Sequence, residues 1–308
     1  MRFRPVAFPR GRSVPHRLAD GTGGKIGGVQ ITKLERTSGF LVVDLDGAPA
    51  VGVTRLAPKV LQDGAELQAR AITYTFASFG LQLSGGSAGI NAKPDERDDA
   101  ITGYLEDVAT LVAEGRWQTW PGTGVTEEDL TPIHVRGGAD LNDPTLLAKG
   151  AAAAARAVLP DASTAAIVAA GPLKDAATAA TDLTVTSDEL DAPVDVLFVA
   201  GKAGLVDHDV ATTVRAKVVV PLSPVPVTAK AYAVLSRAGT VYVPDFLALA
   251  APLLATLDAA GGDPIERVTE KVTKAAAQGV DAWRAAVDDA EAFLASWRES
   301  LPFGRPLA

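Results

Sequence analysis

The chain contains no cysteine in its 308 residues. Disulfides, thiolate nucleophiles, cysteine zinc sites and iron–sulfur clusters are therefore excluded, and a cytoplasmic location is the expectation that fits. Histidine is nearly missing too. His16, His134 and His208 stand far apart without metal-ligand spacing, and each reads as a surface or core residue. No apolar run approaches the roughly 20 residues that a membrane span needs. The segment Met1–Asp20 carries five arginines but no apolar stretch, so it reads as a basic arm laid on the body rather than a secretory signal. With a formal net charge of −8, neither nucleic acid nor an anionic membrane is expected as a partner. Gly21-Thr-Gly-Gly24 is followed by Lys25-Ile26, without the Ser/Thr that a phosphate-binding loop needs after its lysine. No G-x-S-x-G nucleophile turn and no calcium-loop pattern occur.

What is present is globular. Hydrophobic residues make up 47% of the chain and charged ones 21%, enough to bury a large core in two domains or one big one. Phe40–Gly47 reads as a strand closing in an Asp-Gly turn, and Ala50–Leu56 as its return. Asp63 with Glu66 resembles a capping box for a helix running to about Phe79. Ile101, Leu105, Val108, Leu111 and Val112 share one helical face that Gly115 ends. The acidic runs Asp95–Asp99 and Glu127–Asp129 suit helix N-termini. Trp117–Asp143, rich in Gly, Pro and Thr, reads as a long loop.

Beyond the Ala-rich helix Leu146–Val158 the texture changes. Short apolar runs at Ala165–Ala170, Val194–Val199, Lys217–Val220 and Thr240–Val243 alternate with helical stretches, the signature of a parallel sheet with crossover helices. Pro264 suits a first helical position. Trp283, Val287, Ala290, Leu294 and Trp297 form a final apolar stripe. The fold class is α/β, in three expected parts: a mixed α/β domain over 1–145, a shortened Rossmann-like doubly wound domain over 146–262, and C-terminal helices over 263–308 packing back on both.

Three stretches carry a likeness to a known family. The first joins Gly47-Ala-Pro-Ala-Val-Gly-Val-Thr-Arg55, Ala69-Arg-Ala-Ile-Thr-Tyr-Thr75 and Leu83-Ser-Gly-Gly-Ser-Ala-Gly-Ile90. The second runs from Asp195-Val-Leu-Phe-Val-Ala200 to Ala216-Lys-Val-Val-Val220. The third is Leu235-Ser-Arg-Ala-Gly-Thr-Val-Tyr-Val-Pro-Asp245. In order, they resemble the Glu/Leu/Phe/Val amino-acid dehydrogenases, the leucine dehydrogenase branch in particular, over roughly two thirds of the chain.

That resemblance implies an NAD(P)-dependent oxidation of an amino acid to a 2-oxo acid, and it also shows what is missing. The catalytic lysine's position is Ser87, the carboxylate-binding lysine's is Thr75, and the catalytic aspartate's is Gly122. Neither hydroxyl replaces a lysine of lowered pKa. In the dinucleotide loop only Gly171 matches. Ala169 and Lys174 replace its partners, and Pro172 removes an amide. The unit that should follow, with its ribose-binding acid, reads as deleted. Gly204, Pro224 and Leu249 stand where asparagines would line the nicotinamide pocket. Gly85–Gly89 reads as a tight turn, with backbone amides cradling an anion as the other reading.

The leading expectation is therefore a degenerate homologue, with no catalytic residues and no cofactor, kept for binding, regulation or assembly. Its partner would be a second copy, an active paralogue or a small molecule. The alternatives are an active NAD(P)-dependent oxidoreductase with a rearranged site, and a sensor of amino or 2-oxo acids. The candidate pocket residues are Arg55, Thr75, Gly85, Gly86, Ser87 and Gly122.

Overall fold

The computed structural model describes residues 25–26, 28–133, 142–257, 262–301 and 304–308. The basic arm, Gly21–Gly24, His16 and His134 lie outside them. The first half contains β1 (Lys25–Ile26), β2 (Val29–Lys33), β3 (Gly39–Val43), β4 (Ala50–Ala57), α1 (Gln62–Ser78), β5 (Ser84–Asn91), α2 (Arg97–Ala113), β6 (Trp117–Pro121) and α3 (Glu127–Leu130). Its six strands form one mixed sheet in the order β1-β2-β3-β5-β4-β6. β4 runs parallel to β5 and β6, and β3 antiparallel to β5.

The second half contains α4 (Pro144–Val158), β7 (Thr164–Val168), α5 (Gly171–Ala180), β8 (Thr184–Ser187), β9 (Val196–Val199), α6 (His208–Thr213), β10 (Val218–Pro221), α7 (Ala229–Arg237) and β11 (Val241–Tyr242). It ends in α8 (Asp245–Ala248), α9 (Ala251–Leu257), α10 (Pro264–Ala276) and α11 (Ala282–Ala295). Its sheet is parallel throughout, in the order β11-β10-β9-β7-β8. That is a doubly wound, Rossmann-like order lacking the edge strand beyond β8. β7, β9 and β10 are short and mostly apolar because helices cover both faces, whereas the edge strand β8 is largely exposed. Asp195 ties their starts together, accepting hydrogen bonds from the Ser163 and Thr164 amides and from Lys217.

Several expectations need correction. Asp63 and Glu66 do not cap α1, whose N-cap is Leu61 with no side-chain cap. The "loop" after Gly115 opens with the edge strand β6, because Trp117, Thr119 and Trp120 bury against the sheet. The acidic run Glu127–Asp129 does stand at a helix N-terminus, where Asp129 completes a capping box with Thr126. Gly85–Gly89 is no turn. It is the middle of β5, hydrogen-bonded on both sides, with no positive φ at Gly85, Gly86 or Gly89. Glycine serves close approach there. A Cβ at Gly85 would lie 2.0 Å from the Ala69 carbonyl of α1, and one at Gly52 1.8 Å from the Gly86 carbonyl.

α1 joins the two halves. Tyr74 packs at a tilt against Phe246 of α8 with ring centroids 5.7 Å apart, and its hydroxyl donates to Glu291 of α11 at 2.9 Å. Leu45, Tyr74, Ala77 and Phe79 belong to the same buried cluster as the parallel sheet. Arg70 bonds buried Asp44 at 2.7 Å and the Gly304 carbonyl at 2.6 Å. Arg298 reaches the Asp46 carbonyl at 2.8 Å.

Candidate functional site

Arg55, in the carboxyl-terminal half of β4, and Ser87, midway along β5, face α1 from adjacent parallel strands. The Arg55 Nη2 donates to Ser87 Oγ at 3.3 Å, and Ser87 Oγ donates to Gln68 Oε1 of α1 at 3.2 Å. Gly122 closes the third side just after β6, its amide bonded to the Thr54 carbonyl at 2.8 Å. A Cβ on Gly122 would fall 2.8 Å from Arg55 Cγ. Glycine there thus leaves the space through which the arginine runs.

Arg55 is half-buried, and its Nε is fully enclosed without a hydrogen-bond partner. Burial alone draws the guanidinium below its ordinary range, and no acidic group among the described residues offsets it. The contrast with Arg70, buried against the Asp44 carboxylate, is plain. Next to Arg55, Gly89 brings Phe40 and Val60 close. A Cβ at Gly89 would meet them at 2.6 and 2.9 Å, and both are partly exposed.

The other expected residues are not part of this group. The Thr75 hydroxyl turns onto its own helix, donating to the Ala71 carbonyl at 3.1 Å. The Gly85 amide is consumed by Thr73 Oγ1 at 2.9 Å, and Gly86 faces the Trp117 ring on the opposite side of the sheet. Neither amide is free to cradle an anion. Below Arg55 on the same face, Val51, Phe76, Leu83 and Trp120 enclose Leu253 of α9. Gln68 was not foreseen, because one glutamine on a mixed helix carries no motif.

On the second sheet, the loop after β7 enters α5 through Ala169 and Gly171, the latter at φ +57. The α5 N-cap, Ala170, offers no side-chain bond, and Pro172 sits in the first turn. The unit after β8 is missing: β8 leads to β9 with no helix or strand between them, although the strand that carries the ribose-binding position remains. β8 pairs with β7, and Asp188 follows its carboxyl end, where a ribose-binding acid would stand. Lys174 Nζ holds that carboxylate at 3.0 Å. Gly204 has φ +70 in the loop after β9. Asp245 is buried, and its Oδ2 accepts the amide of Val225, a non-glycine residue at φ 52, at 2.8 Å. Burial pushes this carboxyl up to about 6. His208 is a surface residue beside Asp209. The described residues contain no metal-holding cluster, and no helix among them is long and apolar enough to cross a membrane.

No protein-family profile and no curated protein sequence matches the chain. Among solved structures it is similar to L-tryptophan dehydrogenase from Nostoc punctiforme, at 18% identity over 87% of this chain and 95% of that one, TM-score 0.65. It is also similar to the hetero-hexameric glutamate dehydrogenase from Thermus thermophilus in its Leu-bound form, at 19% identity, 83% and 84% coverage and TM-score 0.62. The glutamate dehydrogenase from Peptoniphilus asaccharolyticus aligns at 14% identity, 87% and 90% coverage and TM-score 0.60. The chain shares the two-domain fold of these amino-acid dehydrogenases over most of its length, as the sequence motifs imply.

Proposed function

We propose that the chain carries the amino-acid dehydrogenase fold without its chemistry, and works as a binding, regulatory or assembly protein. One observation supports this most. At the three positions that the resemblance assigns to chemistry stand Ser87, Thr75 and Gly122. The two hydroxyls are engaged by Arg55, Gln68 and the Ala71 carbonyl. Arg55, the charged group beside them, stays protonated at any working pH and cannot act as a base. Lys93 and Lys202 are both solvent-exposed. Each missing acid–base group removes about 10²–10⁴ in rate.

The fold family also implies NAD(P), and the residues present do not fit it. Pro172 removes an amide donor where a pyrophosphate would lie. The Asp188 carboxylate, at the strand end suited to a ribose, is bound to Lys174 instead.

The test is a titration with NAD⁺ and NADP⁺ in the presence of each amino acid. No micromolar binding and no reduced cofactor are expected. Reduction of either cofactor defeats the reading and favours an active oxidoreductase. The natural partner in this reading is a second copy or an active paralogue. Light scattering should show an assembly larger than one chain, and a strict monomer counts against a scaffold of identical copies.

A further inference from the structure

An arginine enclosed among neutral groups is incomplete. Its charge has been partly withdrawn from water, its Nε is enclosed without a hydrogen-bond partner, and no carboxylate among the described residues repays that loss. The described groups it touches are neutral: the Ser87 hydroxyl, backed by the Gln68 amide, and the bare backbone of Gly122. Beside it the half-buried Phe40 and Val60 supply an apolar wall. We propose that Arg55, backed by Ser87 and Gln68, binds a small monocarboxylate whose apolar body lies over Phe40 and Val60.

A guanidinium fork matches a planar carboxylate. One cation balances one negative charge, whereas a phosphate would leave nearly a full charge unpaired. Glycine at 122 is what frees the arginine for this role, since any side chain there would collide with Arg55 Cγ. The inference rests on the non-catalytic binding reading and assigns it a ligand class. Its location is new. The resemblance points to Thr75 for a substrate carboxylate, and the Thr75 hydroxyl is turned away onto its own helix.

Thermal unfolding and calorimetric titration of the full chain with isovalerate and phenylacetate test it, with chloride and inorganic phosphate as controls. Neither probe carries an oxidisable amino group, so binding is read apart from any turnover. Near saturation the wild type should melt about 5 °C higher. Arg55→Met should lose the shift, and Arg55→Lys should keep a weaker one. Without ligand, Arg55→Met should melt no lower than wild type, because it removes a half-buried charge that has no carboxylate partner among the described residues. The proposal is overturned by equal shifts in wild type and Arg55→Met, by equal response to chloride or phosphate, or by no shift at millimolar probe. It is also overturned if ligand-free Arg55→Met melts well below wild type, which would make the guanidinium a satisfied structural group. Should the probes bind while amino acids reduce NAD⁺, only the non-catalytic reading fails and the anion site stands.

Discussion

Asp245 is a buried carboxylate holding a backbone that few residues adopt. Its Oδ2 accepts the Val225 amide while Oδ1 has no partner, and burial lifts its titration from 3.8 to about 6. The native state therefore binds this proton more tightly than the unfolded chain does. The resulting stability is complete below about pH 4 and is lost as pH rises through about 6. Asn at this position keeps an oxygen for the Val225 amide and carries no charge. Denaturant unfolding of wild type and Asp245→Asn at about pH 4 and pH 7.5 should show the variant gaining on wild type by up to about 3 kcal/mol at the higher pH. A constant difference between the two proteins would show that Asp245 does not titrate in this range. Pro244-Asp245 could be quoted as a motif from sequence. Its use as an anchor for a positive φ at Val225 could not, since valine is among the residues least suited to that conformation.

At the scale of elements, periodicity revealed what packing preserves and hid what close approach requires. α2, α4, α10 and α11 are readable because their apolar residues recur at helical spacing and Asp or Pro marks their starts. β5 is not, because Ser-Gly-Gly-Ser-Ala-Gly has the composition of a turn and the environment of a central strand. The two cases differ in φ, which composition does not encode. Candidate residues follow the same rule. Arg55, Ser87 and Gly122 were legible through ordered motifs, and Gln68 was invisible without the α1–β5 contact. Two glycines on these elements should respond oppositely to alanine. Gly85→Ala forces a Cβ to within 2.0 Å of the Ala69 carbonyl, so chemical unfolding should report a loss of at least about 2 kcal/mol. Gly64 lies in α1 with nothing within 4 Å of an added Cβ, and Gly64→Ala should gain about 0.5–1 kcal/mol. A tolerated Gly85→Ala would mean that α1 does not lie on the strand as described.

At the scale of the molecule, the expected boundary near residue 145 separates two sheets but not two cores. Tyr74, Ala77 and Phe79 of the first half are buried with the strands of the second, and Leu253 of the second half is buried with Val51 and Phe76 of the first. Sequence reading places a boundary there because contacts made across about 170 residues, such as Tyr74 with Phe246, leave no local trace. Their consequence is cooperativity, since neither sheet can lose its partner without exposing part of its own core. The four tryptophans make this measurable. Trp117 and Trp120 report on the first sheet, while Trp283 and Trp297 report on the C-terminal helices. A Trp117→Phe/Trp120→Phe variant retains only the second pair, and a Trp283→Phe/Trp297→Phe variant only the first. In each variant the fluorescence transition should coincide with that variant's own far-ultraviolet circular dichroism. If either pair melts apart from the backbone signal, the halves unfold independently, and the hydrogen bonds from Tyr74 to Glu291 and from Arg70 to Gly304 do not couple them.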